Sequence, residues 1–184
     1  MSTFRGFIAI DIKATSQITM FEKEIAKTGA DIKLVEPENI HITVKFLGDT
    51  DEKYIDSIEQ SIKESVREIK PFPITLKGTG VFPNQKYIKI IWIGIIDDGR
   101  IETIVRAIDE KLEPLGFKKE NRGFSPHLTV GRVKTARNKD QLLKAIGNYQ
   151  TVEFTLQNVR SISLKKSELT PKGPIYTTLR DVPL

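Results

Sequence analysis

The chain has 184 residues, of which 39% are hydrophobic and 29% are charged, and its formal net charge is +5. This length predicts one domain, or two small lobes that share a core, and the composition is typical of a globular protein. No segment has the roughly 20 consecutive apolar residues of a membrane span. The absence of cysteine excludes disulfides and thiolate chemistry. We therefore expect a monomeric cytoplasmic protein that does not contact a membrane.

The first half of the chain predicts two strands, each followed by a helix. The apolar run 4–12 is interrupted by Asp11, which favours a buried strand over a signal peptide. A turn cluster at 36–39 precedes a second predicted strand at 40–47. Apolar residues spaced three and four apart predict helices at 15–27 and 51–69. We expect Thr50 to cap the second helix.

The second half repeats this alternation. It predicts a hairpin of strands 73–82 and 86–96, a helix at 100–115 and a short helix at 139–146. Closing strands are predicted at 152–164 and 175–179, around a turn at 171–174. The order is an approximate duplication, which predicts an α+β fold with largely antiparallel sheets and helices outside them.

Both histidines of the chain lie in the same four-residue pattern of histidine, apolar residue, threonine and valine. His41 opens the first tetrad and His127 opens the second, nearly half the chain later. Residues two apart in a strand point to the same side, so each tetrad presents an imidazole and a hydroxyl together, Thr43 with His41 and Thr129 with His127. A single histidine in a strand is usually structural, but two in matching contexts indicate one shared site.

Two imidazoles that face each other across a cleft suit displacement at phosphorus. One accepts a proton from the nucleophile while the other donates a proton to the leaving oxygen, and an ordinary histidine pKa of about 6.5 permits both states. The threonine hydroxyls would donate hydrogen bonds to the phosphate, and Arg132 would add positive charge. Lys45 is a weaker candidate, predicted on the same strand face as His41 and Thr43.

The charge distribution favours an anionic ligand, with nucleic acid or a nucleotide first among the candidates. Segment 117–144 contains eight lysines and arginines but only two acidic residues. A solvated, lysine-rich surface is the alternative interpretation. The sequence has no H-E-x-x-H pattern and no phosphate-binding glycine loop that ends in lysine, so we expect neither a metal site nor a cofactor.

The two tetrads in their contexts resemble the 2H phosphoesterase superfamily, and within it the RNA 2′,3′-cyclic phosphodiesterases, also called 2′-5′ RNA ligases. The resemblance implies a single bilobal domain over 1–184, with pseudo-twofold duplicated antiparallel sheets, helices on the outside and a central cleft. The segments that carry the resemblance are 7–11, 39–48, 80–83, 91–94, 126–132 and 169–176.

The resemblance also implies a reaction. His127 would be the proton acceptor, activating water against the 2′,3′-cyclic phosphate of an RNA end, and His41 would be the proton donor to the departing 3′ oxygen. Thr43 and Thr129 would hold the phosphate, and the product would carry a 2′-phosphate. The joining of a cyclic end to a 5′-hydroxyl would use the same chemistry in reverse. The turn that carries Tyr176 and Ser167 would close one wall of the cleft.

Two other functions stay open at this point. The first is a non-catalytic module that binds RNA ends or nucleotides through the basic cleft. The second is a phosphodiesterase for a cyclic nucleotide or for an ADP-ribose cyclic phosphate. The residues alone also leave the roles of the two histidines open, because the tetrads are symmetric in sequence.

Overall fold

One antiparallel sheet, with helices packed on one of its faces, accounts for most of the fold. The structure is a computed structural model that describes residues 2–119 and 123–184. Within those ranges the sheet has nine strands and the helices number four. The strands are β1 (Thr3–Asp11), β2 (Ile32–Leu34), β3 (His41–Asp51), β4 (Phe72–Pro83), β5 (Ile88–Ile96), β6 (His127–Val133), β7 (Glu153–Val159), β8 (Ser161–Thr170) and β9 (Gly173–Pro183). The helices are α1 (Ser16–Lys27), α2 (Ile55–Val66), α3 (Arg100–Leu112) and α4 (Lys139–Gly147).

The sheet consists of two similar halves. Its strand order is β7-β4-β5-β6-β3-β1-β8-β9, so four strands lie on each side of the boundary between β6 and β3, and β2 pairs with β6 in addition. Helices α2 and α3 pack together against β3, β8 and β9, whereas α1 and α4 pack together against β4 and β7. The predicted α+β, bilobal and antiparallel architecture is confirmed.

The helices cover the sheet because each of them has an apolar face. In α3, for example, Ile101, Ile104, Ile108 and Leu112 recur every three or four residues and are completely buried. These side chains join apolar side chains from the strands in a single hydrophobic cluster that extends through both halves of the sheet. The helices leave the other face of the sheet uncovered, and we call it the open face.

The first tetrad strand is longer than predicted. It continues to Asp51, because its last residues pair with the start of β1, and α2 begins only at Ile55 after a short 3-10 turn, Glu52–Tyr54. The prediction that Thr50 caps this helix is therefore wrong. Thr50 lies inside the strand, is 2% exposed, and donates its hydroxyl to the carbonyl of Gly48.

The predicted strand at 152–164 is two strands that lie in different halves of the sheet. The segment β7 pairs with β4, whereas β8 pairs with β1 and β9. The chain crosses between the halves at Arg160, and hydrophobicity alone does not mark such a crossing. The loop at 118–124, which leads to the second tetrad, follows no recognisable sequence pattern, and its residues 120–122 lie outside the described residues.

Candidate active site

The boundary between the two halves of the sheet is narrow. Strands β3 and β6 are antiparallel neighbours, and Ile42 lies opposite Leu128. Both side chains have 0% exposure and point into the core. Because side chains alternate along a strand, the residues on either side of this pair point to the open face.

Those neighbours are the two histidines and two threonines of the tetrads. The antiparallel register around the Ile42 and Leu128 pair sets His41 across from Thr129, and Thr43 across from His127. Side chains directly opposite one another in a sheet have Cβ atoms about 5 Å apart, and diagonal neighbours about 7–8 Å. The two imidazoles are thus diagonal neighbours in the register, each beside a hydroxyl of the other strand.

Both tetrads contain a β-bulge at the same position. Val44 is the extra residue of β3 opposite β1, and Val130 is the extra residue of β6 opposite β5. As a result, the first seven residues of the two strands show the same burial sequence, with buried side chains at their second, fourth and fifth positions. Each bulge reverses the alternation of side chains beyond it.

The bulge places Lys45 on the core side, so the prediction that it shares a face with His41 is wrong. Lys45 is 3% exposed and forms a buried ion pair with Asp109 of α3. Its ammonium also donates to the carbonyl of Lys118 at 2.8 Å. Lys45 therefore ties the tetrad strand to α3 and to the segment that follows that helix, and it does not contact the open face.

Each histidine is oriented by a backbone carbonyl two residues earlier. Nδ1 of His41 lies 2.7 Å from the carbonyl oxygen of Asn39, and Nδ1 of His127 lies 2.9 Å from that of Ser125. A carbonyl oxygen only accepts, so Nδ1 carries the proton and Nε2 of the neutral ring is the basic nitrogen. In His41, Nε2 is 3.1 Å from the hydroxyl of Thr43. The two rings therefore have the same tautomer.

His41 lies between two aromatic rings that shield it from solvent. Its ring centroid is 5.1 Å from that of Phe7 and 5.3 Å from that of Tyr176. Burial lowers the pKa of His41 below its ordinary value, and the positive charges of Lys165 and Arg132 lower it further, against the opposing effects of the Asn39 carbonyl and Asp11. Burial thus shifts the protonation equilibrium of His41 toward the neutral ring.

His127 has an aromatic neighbour, Phe82 of β4, which packs in turn on Trp92 of β5. The ring of Phe82 lies 5.0 Å from His127 and 5.4 Å from Trp92. The indole of Trp92 lies directly on Gly80, where an added Cβ would come within 2.2 Å of it. Only glycine permits this packing, so Gly80 sets the position of the aromatic pair beside His127.

Arg132 lies on the open face beyond His41. Its strand position is opposite Ile90 of β5 and Lys33 of β2, and its side chain is exposed. Burial is the main cause of the lowered pKa of His41, and the charge of Arg132 adds to it. The same charge opposes the burial that raises the pKa of Tyr176. The open face thus carries all five predicted site residues, namely His41, Thr43, His127, Thr129 and Arg132.

The family model described as the 2′-5′ RNA ligase superfamily matches residues 4–168. The chain belongs to this superfamily. It is 46% identical to the RNA 2′,3′-cyclic phosphodiesterase of Methanocaldococcus jannaschii, over 96% of this chain and 99% of that protein. It is 41% identical to the protein of the same name from Methanothermobacter thermautotrophicus, over 95% of this chain and 96% of that protein.

Solved structures show the same fold for this member of the 2′-5′ RNA ligase superfamily. TT0787 of Thermus thermophilus superposes with a TM-score of 0.78 at 24% identity, over 98% of this chain and 97% of that chain. Escherichia coli LigT complexed with 3′-AMP superposes with a TM-score of 0.69 at 20% identity, over 100% of this chain and 99% of that chain.

The β8–β9 hairpin lies against His41 in this superfamily member, where the turn near Tyr176 is predicted to close one wall of the cleft. Besides the contact of Tyr176 with His41, the side chain of Asn39 donates to the carbonyl of Pro174 at 3.1 Å. Asn39 therefore holds His41 with its backbone and the hairpin with its side chain. Sequence reasoning missed this residue, because a backbone acceptor leaves no signature in the residue types.

In residues 2–119 and 123–184, no group of three or more histidine, cysteine, aspartate or glutamate side chains is arranged to hold a metal ion. In the same ranges, no helix combines the length and the apolar character that crossing a membrane requires.

Proposed function

We propose that this protein hydrolyses the 2′,3′-cyclic phosphodiester at RNA ends to a 2′-phosphomonoester, using His41 as the proton donor and His127 as the proton acceptor. The domain that does this spans 1–184, and the reaction needs no metal. The observation that carries the proposal is the register of β3 and β6, which sets two imidazoles and two hydroxyls on one face around the Ile42 and Leu128 pair. The names of the close relatives support the substrate class.

The reaction begins with water near His127. The Nε2 atom of the neutral ring accepts a proton from water while the oxygen of that water bonds to phosphorus. The bond between phosphorus and the 3′ oxygen breaks on the opposite side, and protonated His41 gives its Nε2 proton to that oxygen. The products are a free 3′-hydroxyl and a 2′-phosphate. Exchange of protons with solvent restores both rings.

The hydroxyls of Thr43 and Thr129 lie between the two rings in the register and donate to the non-bridging oxygens. Charge accumulates on these oxygens in the transition state, so donors already in position stabilise it without reorganisation. Arg132 adds positive charge from the side of His41. The bound phosphate is an anion, and it favours protonation of His41, whose pKa is lowered in the free protein.

The same geometry supports ligation when an RNA hydroxyl, and not water, is the nucleophile. If the 5′-hydroxyl of a second RNA takes the place of water, His127 accepts its proton and His41 again protonates the 3′ oxygen. The phosphorus then bridges a 2′ oxygen and a 5′ oxygen. We propose this 2′-5′ joining as a second reaction of the same site, with water and the RNA hydroxyl in competition.

The experiment is incubation with an oligoribonucleotide that ends in a 2′,3′-cyclic phosphate, with a chelator present. We expect conversion to a 2′-phosphate, and a loss of about 10²–10⁴-fold in rate for His41→Ala and for His127→Ala. Circular dichroism and thermal melting check that both variants fold. Undiminished turnover in both variants, or a 3′-phosphate product, would overturn the assigned roles.

The alternatives give different outcomes in this experiment. Binding of the oligonucleotide without turnover would identify a non-catalytic RNA-end module. A higher kcat/KM on a cyclic nucleotide or on an ADP-ribose cyclic phosphate than on RNA would identify a small-molecule phosphodiesterase. Both results would reject the RNA substrate while they leave the geometry of the site intact.

A further inference from the structure

Lys33 and Arg132 form a pair of adjacent cations on the open face. They are opposite one another in the pairing of β2 with β6, so their side chains lie on the same face. The neighbouring pair, Leu34 and Gly131, points into the core, where the two residues pack together. Among the described residues, no carboxylate forms a salt bridge with either cation. Two unneutralised like charges side by side favour a bound anion.

The position of Lys33 is fixed by the β8–β9 hairpin. Its ammonium donates to the carbonyl of Lys172 at 3.1 Å, and an added Cβ at Gly173 would come within 3.0 Å of the same nitrogen. The turn of the hairpin therefore packs directly on the lysine. An ammonium has three N–H donors, and this contact uses one of them. The remaining donors are available to a ligand beside Arg132.

The distance between the reacting phosphate and the pair of cations suits a second phosphate of the same RNA strand. On β5, the residues opposite Thr129 and Arg132 are Trp92 and Ile90, two positions apart because of the bulge at Val130. Two positions in a strand correspond to about 7 Å. That length is on the scale of the spacing between successive phosphates in a nucleic acid. The cation pair thus lies about one nucleotide away from the Thr129 hydroxyl.

We propose that Lys33, together with Arg132, binds the phosphodiester on the 5′ side of the terminal nucleotide, which makes this an enzyme for RNA ends rather than for mononucleotides. This inference rests on the proposed function. Because His41 protonates the 3′ oxygen, the terminal ribose lies on the side of His41, and the strand continues from its 5′ carbon toward Arg132 and Lys33. Arg132 can contact either the reacting phosphate or the phosphodiester on its 5′ side, whereas Lys33 contacts only the phosphodiester on the 5′ side.

The test compares two substrates, a mononucleoside 2′,3′-cyclic phosphate and a trinucleotide that ends in the same cyclic nucleotide. For the wild-type protein we expect a higher kcat/KM on the trinucleotide. In Lys33→Met we expect the ratio of kcat/KM on the trinucleotide to kcat/KM on the mononucleoside cyclic phosphate to fall about tenfold. Lys33→Arg retains most of this ratio because the charge is kept. For the trinucleotide, the slope of log KM against the logarithm of the salt concentration also falls by about 0.7. This is the contribution that one phosphate contact makes to the binding of a single strand.

Lys23→Met is the matched control, because it removes the same charge from an exposed position on α1. It is expected to leave both the ratio and the salt dependence at their wild-type values. Equal losses on both substrates in Lys33→Met would overturn the inference, since the lysine would then serve the reacting phosphate or the hairpin. An equal kcat/KM on both substrates in the wild type would also overturn it. Absence of turnover on both substrates would instead reject the proposed function.

Discussion

Ile42 and Leu128 lie opposite each other where the two halves of the sheet meet, and neither side chain is exposed to solvent. The four tetrad side chains with polar groups lie on the other side of this pair, one residue away in each direction. The packing of two apolar side chains in the core therefore sets the relative position of the groups that would act on phosphorus. Core packing and site geometry are coupled at this point.

Leu128→Ala tests the coupling. The substitution leaves a cavity at the boundary, and we expect the free energy of unfolding to fall by about 2–5 kcal/mol. We also expect a loss in kcat, because His127 and Thr129 are the neighbours of Leu128 in the strand. Urea unfolding and steady-state kinetics measure the two effects. Leu156→Ala is the control, since Leu156 is 64% exposed. A destabilised variant with unchanged kcat would show that the site does not depend on this packing.

Thr43→Val and Thr129→Val remove one hydroxyl each while they keep the size and the strand preference of the side chain. If the hydroxyls stabilise the transition state, each variant loses about 10²-fold in kcat, as is typical for a single preorganised donor. Thermal unfolding is expected to change little. Thr177→Val is the matched control, because Thr177 is exposed on β9. A change confined to KM would mean that the hydroxyls bind the substrate but do not act in the chemical step.

The pKa of His41 gives the activity a pH dependence of defined sign. Burial lowers this pKa below the ordinary value of 6.5. A donor must be protonated, so in His127→Ala, where His41 acts alone, the residual kcat/KM falls as the pH rises through the pKa of His41. This fall is expected below pH 6.5, because kcat/KM reports the free enzyme. A proton NMR titration of the ring, assigned by its loss in His41→Ala, measures the pKa directly.

The kcat profile supplies the control for that prediction. It reports the complex with substrate, in which the phosphate anion raises the pKa of His41, so the fall in kcat moves to higher pH than the fall in kcat/KM. A residual rate that instead increases with pH in His127→Ala would reverse the roles of the two histidines.

The sequence alone was sufficient to predict that both histidines and both threonines share one face of the sheet, because they lie in short tetrads whose strand periodicity is local. It was not sufficient for Lys45, because the bulge at Val44 arises from pairing with β1 and leaves no mark in the sequence of β3 itself. The three residues of β2 were missed for a related reason. Their strand conformation depends on β6, far along the chain, and the segment is too short to show a period.

Glu22 makes a separate prediction about stability. This residue of α1 is 6% exposed, and in the described part of the structure its Oε1 atom has no hydrogen-bond partner. Burial, with a smaller contribution from Glu36, raises its pKa from 4.5 to about 7. The folded protein therefore holds a proton that the unfolded chain releases, and the free energy of unfolding decreases as the pH rises from 4.5 toward 7.

Glu22→Gln removes the titration. We expect little change in the free energy of unfolding at pH 5, where the folded protein keeps Glu22 protonated, and a gain of about 3 kcal/mol at pH 8, where the buried carboxylate is charged. Urea unfolding at the two pH values measures the difference, and Glu68→Gln, at an exposed position of the chain, controls for loss of a surface charge. A gain of equal size at both pH values would show that the amide stabilises the site through a new hydrogen bond and that the carboxyl does not titrate in this range.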